Sequence, residues 1–142
     1  MVLCAGKLRE AWVKEACEEY RKRIARHLPI EIVEVKDAAA LAAKLDDPKL
    51  GRYRLVALDE RGKQPTSREL GDKLGAWMSS GIQGVCFVVG EADGLPAELV
   101  KRADEVLSLS RLTLPHRLAR VVLLEQLYRA HSIVRGEPYH RD

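Results

Sequence analysis

An α/β fold, a mostly parallel sheet flanked by helices, is what this chain predicts, on three observations. Short β-rich runs alternate with amphipathic stretches from one end to the other. One run, "VCFVV" (residues 85–89), is apolar at every position, as a central parallel strand covered on both faces must be. No linker, internal repeat or low-complexity segment interrupts the alternation, so residues 1–142 are expected to form one domain.

The elements follow in order. "VLCA" (residues 2–5) is a short first strand. A helix is expected over residues 10–26, where Val13, Ala16, Cys17, Tyr20 and Ile24 recur at helical spacing. "IEIVEV" (residues 30–35) is the second strand, and the Ala/Leu-rich residues 38–45 form a short helix before the turn signals at Asp47-Pro48 and Gly51. "YRLVALD" (residues 53–59) is the third strand, more buried toward its end. Thr66 with Glu69 makes a capping box that opens a helix running to about Ser79. Pro96 suits the first turn of another short helix. "EVLSLS" (residues 105–110) is the last strand. Trp12 and Trp77 are expected to pack on their helices. The final helix, residues 116–135, carries Leu118, Val121, Val122, Leu123, Leu124, Leu127, Tyr128, Ile133 and Val134 over more than one stripe. A helix that apolar is covered on several sides, here by its own chain and by a second subunit in a two-fold dimer.

A chain of 142 residues, 46% hydrophobic and 32% charged, can bury roughly two thirds of the surface its unfolded form exposes, and it falls in the water-soluble globular class. Cys4, Cys17 and Cys86 lie in apolar stretches without metal-ligand spacing, as reduced core residues of a cytoplasmic protein do. No export signal or membrane anchor is indicated. The whole net charge of +3 resides after Leu109: Arg111, Arg117, Arg120, Arg129, Arg135 and Arg141 stand against Glu125, Glu137 and Asp142. Arginine without lysine favours planar contacts with phosphate or carboxylate, so RNA is a candidate partner, and a solvated helix face is the alternative.

In an open α/β sheet ligands bind beyond the carboxyl ends of the strands. Three loops share that edge: "LDERGKQ" after the third strand, "GEADG" (residues 90–94) after the fourth, and "SRLTLPH" (residues 110–116) after the fifth. Gly90 and Gly94 permit close backbone approach or positive φ. The third loop is apolar apart from Thr113 and is stiffened by Pro115, a lining that suits an adenine ring better than a phosphate. Neither G-x-G-x-x-G nor G-x-x-x-x-G-K-[ST] occurs, which argues against a Rossmann dinucleotide site, a P-loop or an enzyme of another nucleotide. No nucleophile, metal cluster or paired carboxylate stands out. His116, His131 and His140 read as structural or solvated as readily as catalytic, and Glu125 and Tyr128 as a buried hydrogen-bond partner and packing. The terminal "EPYHRD" (residues 137–142) sets an aromatic ring, an imidazole and a guanidinium side by side where chain ends are usually polar and loose.

Taken together, "LTLPH", "EQLYRA" and the terminal "PYHR" stand at the spacing found in one family. The chain resembles the bacterial 23S ribosomal RNA large-subunit methyltransferase H family, pseudouridine N3-methyltransferases of the SPOUT superfamily. The likeness extends to "AGKLRE" near the start, to Glu19-Tyr20 and to "LDERGK". It implies an α/β fold whose C-terminal part is a deep trefoil knot, with S-adenosylmethionine (S-adenosyl-L-methionine) held by Leu58, by the Gly90-Glu91 turn and by Ser110, Arg111, Leu112, Thr113, Leu114 and Pro115. It implies a homodimer, the tail of one subunit approaching the cofactor of the other, that methylates 23S rRNA in the ribosome or large subunit. No membrane is involved, and no metal is needed because a sulfonium is already activated. Within the tail, His140 would contact the base or take its proton, Tyr139 would stack and Arg141 would bind a phosphate or base edge.

Two departures from the family stand out. Glu91 occupies the second of two usual glycines, where a side chain costs about 1 kcal/mol if φ is positive, or points away, or faces the cofactor's positive charge. The first strand is also shorter than the family's. A SPOUT-fold RNA-binding or ribosome-binding factor that has lost the cofactor is the rival expectation.

Overall fold

The computed structural model describes residues 1–141, so Asp142 of the terminal run lies outside the described residues. Side-chain alternation along the strands sorts the core into two faces. The strands are β1 (Val2–Ala5), β2 (Ile32–Val35), β3 (Tyr53–Lys63), β4 (Gly84–Val89) and β5 (Glu105–Leu107). All pair in parallel, in the order β2-β1-β4-β3-β5. The apolar run 85–89 thus sits at the centre of the sheet, as its composition requires. The helices are α1 (Ala11–Ala25), α2 (Ala38–Leu45), α3 (Ser67–Ser79), α4 (Ala97–Arg102) and α5 (His116–Val134).

On one face, Val2, Cys4, Val56, Phe87 and Val89 pack against Val13, Cys17 and Ile24 of α1, Leu70, Leu74 and Trp77 of α3, and Leu123, Leu124 and Leu127 of α5. On the other, Leu3, Ala5, Ala57, Cys86 and Val88 meet Leu41 and Leu45 of α2 and Leu99 of α4. Each fully buried leucine contributes about 1.5–3 kcal/mol relative to exposure. The cysteines are buried and unpaired, and burial pushes the Cys4 thiol up to about 12 and the Cys86 thiol up to about 11, which leaves them inert.

Helix starts follow the sequence closely. Thr66 Oγ1 accepts from the Glu69 amide and the Glu69 carboxylate accepts from the Thr66 amide, each at 3.1 Å, completing the capping box. The strands near β5 differ from expectation. β3 does not stop at Asp59: residues 59–62 bulge out and Lys63 returns to pair with Leu107, the residue that Leu58 also pairs with. β5 ends early, at Leu107, because the Ser108 amide turns to the Lys63 carbonyl and the Ser108 hydroxyl to the Ser110 carbonyl. β3 is buried in its middle, at Val56 and Ala57, because its end opens onto a cleft.

Trp77 is buried edge-on to Phe87, but Trp12 is 55% exposed on α1 and does not pack as expected; the helix's apolar stripe runs through Val13, Cys17 and Ile24, one position round from it. On α5, Leu123, Leu124, Leu127 and Ala130 are buried within the chain while Val134 is exposed, so the chain itself covers one side of that helix. Among the described residues no helix is long and apolar enough to cross a membrane.

Candidate functional site

A cleft of about 350 Å³ opens at the carboxyl ends of β3, β4 and β5. Its walls are the three loops that share this edge: Leu58 to Arg61, Val89 to Leu95, and Leu107 to Leu114 without Arg111, with His116 and Ala119 of α5 closing one side. The volume lies in the range of small-molecule sites. Leu58, Leu107, Leu109 and Leu114 supply apolar surface, while Asp59, Glu60, Glu91 and Asp93 set four carboxylates against Arg61 and His116. Arg61 forks onto Asp59 at 2.9 and 3.0 Å, and that hydrogen bond holds the Asp59 carboxyl below the usual carboxylate range. An apolar shelf with excess negative charge suits a ligand with a flat ring at one end and positive charge at the other, so the lining fits S-adenosylmethionine. Among the described residues no group of His, Cys, Asp and Glu is arranged to hold a metal.

The glycines of "GEADG" have distinct roles. A Cβ on Gly90 would stand 2.6 Å from the Gly94 carbonyl carbon and 2.9 Å from the Leu95 amide, so close packing of backbone on backbone demands glycine there. Gly94 has φ +77° and donates its amide to the Glu91 carbonyl at 2.8 Å, closing the turn. Glu91 needs neither freedom, since among the described residues only glycines have positive φ. Its side chain leans back over Gly6 at the end of β1, where a Cβ would lie 2.9 Å from Glu91 Oε1. The departure from paired glycines therefore carries no backbone strain, and it puts a carboxylate on the rim of the cleft.

Beneath this rim lies a cation that sequence reasoning missed. Arg120 of α5 is buried, bonded to Glu34 at 2.6 Å and to the carbonyls of Ala5 and Gly6 at 2.9 and 2.6 Å. Glu34 in turn accepts from the Leu8 amide at 2.9 Å. Arg120 thereby ties α5 to the end of β1, its guanidinium buried while the Glu34 carboxylate reaches solvent. The signal was present: Arg120 stands in the register of Leu123, Leu124 and Leu127, and a cation in an apolar stripe requires a buried partner.

The tail is ordered by α5. Gly136, at φ +71°, reverses the chain, and the Glu137 amide donates to the Ser132 carbonyl at 2.9 Å. The Tyr139 ring lies edge-on to Tyr128 at 4.6 Å, under the Arg129 guanidinium at 4.7 Å. Its hydroxyl donates to Glu125 Oε2 at 2.8 Å. Arg129 bonds the same oxygen at 2.7 Å and approaches His140 Nδ1 at 3.1 Å. Burial alone would raise the Glu125 carboxyl, but hydrogen bonds from Arg129 and Tyr139 outweigh it and hold the group below its ordinary value. Burial and the Glu125 charge push the Tyr139 phenol far up, so it stays protonated at any working pH.

Of the residues singled out for the cofactor, Leu58, Gly90, Glu91, Ser110, Leu112, Thr113 and Leu114 share the cleft, while Arg111 and Pro115 stand beside it, Pro115 as the residue before α5. Asp59, Arg61, Asp93, Leu107 and Ser108 join them; their loops were legible, but which side chains turn inward was not. Tyr139, His140 and Arg141 follow α5, and Tyr139 and His140 fold back on its C-terminal half against Glu125, Tyr128 and Arg129; Glu125 itself stands about 14 Å along the helix from the cleft at the His116 end. The arginine-rich last quarter is not a continuous basic face: Arg117 pairs with Glu10, Arg120 with Glu34, Arg129 with Glu125 and Arg135 with Glu137. Arg111 and Arg141 are exposed.

Residues 1–140 match the family described as "Predicted SPOUT methyltransferase". The chain is 47% identical over 150 residues to a ribosomal RNA large subunit methyltransferase H of Anaeromyxobacter sp. (strain K), covering 99% of this chain and 97% of that protein. It is 43% identical to the protein of the same name from Geobacter metallireducens, covering 98% and 96%. Among solved structures, a probable methylase family protein of Haemophilus influenzae Rd KW20 superposes with TM-score 0.63 at 14% identity, over 99% of this chain and 70% of that one. The SpoU methyltransferase AviRb of Streptomyces viridochromogenes, solved in complex with the cofactor AdoMet, gives 0.53 at 15% identity, over 92% of this chain and 59% of that one. At these identities the two structures speak to the fold.

Proposed function

Because this chain belongs to the ribosomal RNA large subunit methyltransferase H family of SPOUT methyltransferases, we propose that it methylates N3 of a pseudouridine in 23S ribosomal RNA, in the assembled ribosome or its large subunit in the cytoplasm, with S-adenosylmethionine as donor. The observation that carries the proposal is the single cleft that gathers the ends of β3, β4 and β5, with an apolar shelf and a carboxylate rim. Leu58, Leu107 and Leu114 suit the purine ring, the backbone of Gly90 and of residues 110–115 frames it, and Glu91 and Asp93 suit the positive end of the cofactor. When bound, the cofactor supplies a methyl group already activated on a sulfonium. The chain's residues then have to orient two substrates and exclude wrong geometries, which is where most of the rate would come from.

Tyr139, His140 and Arg141 are the proposed contacts to the RNA. In their own subunit Tyr139 and His140 pack on Glu125, Tyr128 and Arg129 and line no part of the cleft, which supports a site completed by the tail of a second copy, and the half-buried Val121 and Val122 with exposed Val134 on α5 give a second copy apolar surface to cover. The C-terminal knot belongs to the same proposal. What supports it is the family to which the chain belongs. The modest charge, with most C-terminal arginines already paired, favours a structured ribosomal particle over naked RNA as substrate.

Mass mapping of 23S rRNA from particles of a strain lacking the methylation, before and after incubation with protein and cofactor, tests this. One added methyl on a single pseudouridine is expected. Unchanged RNA, together with no heat on titrating S-adenosylmethionine into the protein, would instead identify a binding factor that keeps the fold without the cofactor.

A further inference from the structure

The hydrogen-bond network at the far end of α5 dictates which nitrogen of His140 carries its proton. An arginine guanidinium donates and has no acceptor. Arg129 Nη1 stands 3.1 Å from His140 Nδ1, so Nδ1 must be the accepting, unprotonated nitrogen and the proton of the neutral ring must sit on Nε2. Arg129 is itself fixed: Glu125 holds it through both carboxylate oxygens, at 2.7 and 3.4 Å, and its guanidinium carbon lies over the Tyr139 ring, 4.7 Å from the centroid. Tyr139, donating to Glu125, closes the loop. "EQLYRA" and "PYHR", two blocks separated in sequence, are thus the two halves of one device.

We infer that Glu125 and Arg129 are positioning residues that lock His140 as its Nε2–H tautomer, so that the imidazole acts on the RNA base as a hydrogen-bond donor and not as the proton acceptor. The inference rests on the methyltransferase function proposed above. The imide nitrogen of the base lies between two carbonyls. A donor on one of them stabilises the negative charge that spreads onto oxygen as the N–H bond ionises, as donors to a developing oxyanion do. The N–CH3 bond then forms as the S–CH3 bond breaks, and the imide proton goes to water. Tyr139, held as a phenol, is no better placed than His140 to accept it.

Nitrogen-15 NMR of histidine-labelled full-length protein near pH 7.5, with His140 assigned by its loss in His140→Gln, reads the tautomer directly. The expected signature is a protonated Nε2 and an unprotonated Nδ1, retained in Arg129→Lys and lost to a tautomer mixture in Arg129→Met. A protonated Nδ1 in the wild type overturns the inference. Turnover on ribosomal particles reads the role: the glutamine amide can reproduce the Nε2–H donor but cannot take a proton. His140→Gln should keep activity within about tenfold of wild type, whereas His140→Ala should lose on the order of 100-fold or more, with cofactor affinity unchanged in both. Equal loss in the two variants overturns the donor role. Wild-type protein that methylates nothing would refute the reaction and the donor role with it, while the nitrogen spectrum still decides whether Arg129 sets the tautomer.

Discussion

The two ends of α5 are built on opposite plans. At the His116 end the cleft is made by backbone: strand ends, a turn that Gly94 closes, and Gly90 pressed against that turn. Along the half that ends at Val134 the tail is made by side chains that bond one another, with Glu125, at mid-helix, taking bonds from Tyr139, Gln126 and Arg129. Topology positions the first and polar pairing the second. The cleft should therefore be sensitive to added atoms, and the tail to removed ones.

Removing residues 138–142 should give the largest effect and separate the two ends most sharply. Methylation should fall on the order of 100-fold or more, as loss of substrate orientation does. Cofactor affinity, set by cleft residues about 14 Å along α5 from Glu125, should stay within about twofold. Stability should drop by about 2 kcal/mol, from the edge-on Tyr128 contact and the bond to Glu125. Calorimetry with S-adenosylmethionine beside a turnover assay checks it, and undiminished turnover would leave the tail without a role. Gly90→Ala should produce the converse at smaller scale. Its new methyl meets backbone that cannot step aside, so a cost of about 1–3 kcal/mol is expected, some of it read as roughly tenfold weaker cofactor binding. The tail network, followed by the Tyr139 ring signals, should not change. If Gly90→Ala bound cofactor as the parent does, the tight turn would not be what shapes the cleft.

How much of this was legible in the sequence also divides between the two ends. The alternation of runs located all five strands, the S/T-x-x-E pattern located the start of α3, and the three loops of the cleft followed from the rule that ligands sit beyond strand ends. The course of β3 past Asp59 was not legible. Its cause is non-local: Leu107, 44 residues after Lys63, makes Lys63 pair where Leu58 already does, and local propensity has no access to that partner. The exposure of Trp12 was hidden because a tryptophan beside an apolar stripe looks the same in sequence whether it faces core or solvent. Arg120 was legible in principle, by its register, and was overlooked within a run of arginines. At the tail, residue types announced a site, but only the fold shows that Glu125 and Arg129, about two and a half and one and a half turns back from the end of α5, hold it.

The smallest expected effect concerns His131, where α5 hands over to the tail. Its position in the last helical turn would by itself favour the charged form. Burial lowers its pKa instead, helped by the charges of Arg135 and His27, with Glu137 opposing; the ring lies 6.0 Å from that of His27. The sign follows from linkage. Above the ordinary value of 6.5 both folded and unfolded chains hold the residue neutral and it contributes no pH dependence. As pH falls below 6.5 the unfolded chain takes up the proton first, so stability declines with acidity until the folded pKa is passed. Unfolding free energies from urea titrations between pH 7.5 and 5.5 should fall in the wild type by less than about 1.4 kcal/mol on account of His131, the worth of one pH unit, and should be flatter in His131→Leu. The carboxylates that the tail network holds low, Glu125 among them, respond only below their ordinary value of 4.5 and so leave this window to histidine. Equal slopes in the two proteins would mean that burial at this end of α5 is too slight to oppose the helix terminus. Cofactor binding at the other end should follow one pH profile in both proteins, because the cleft's own groups do not touch this turn.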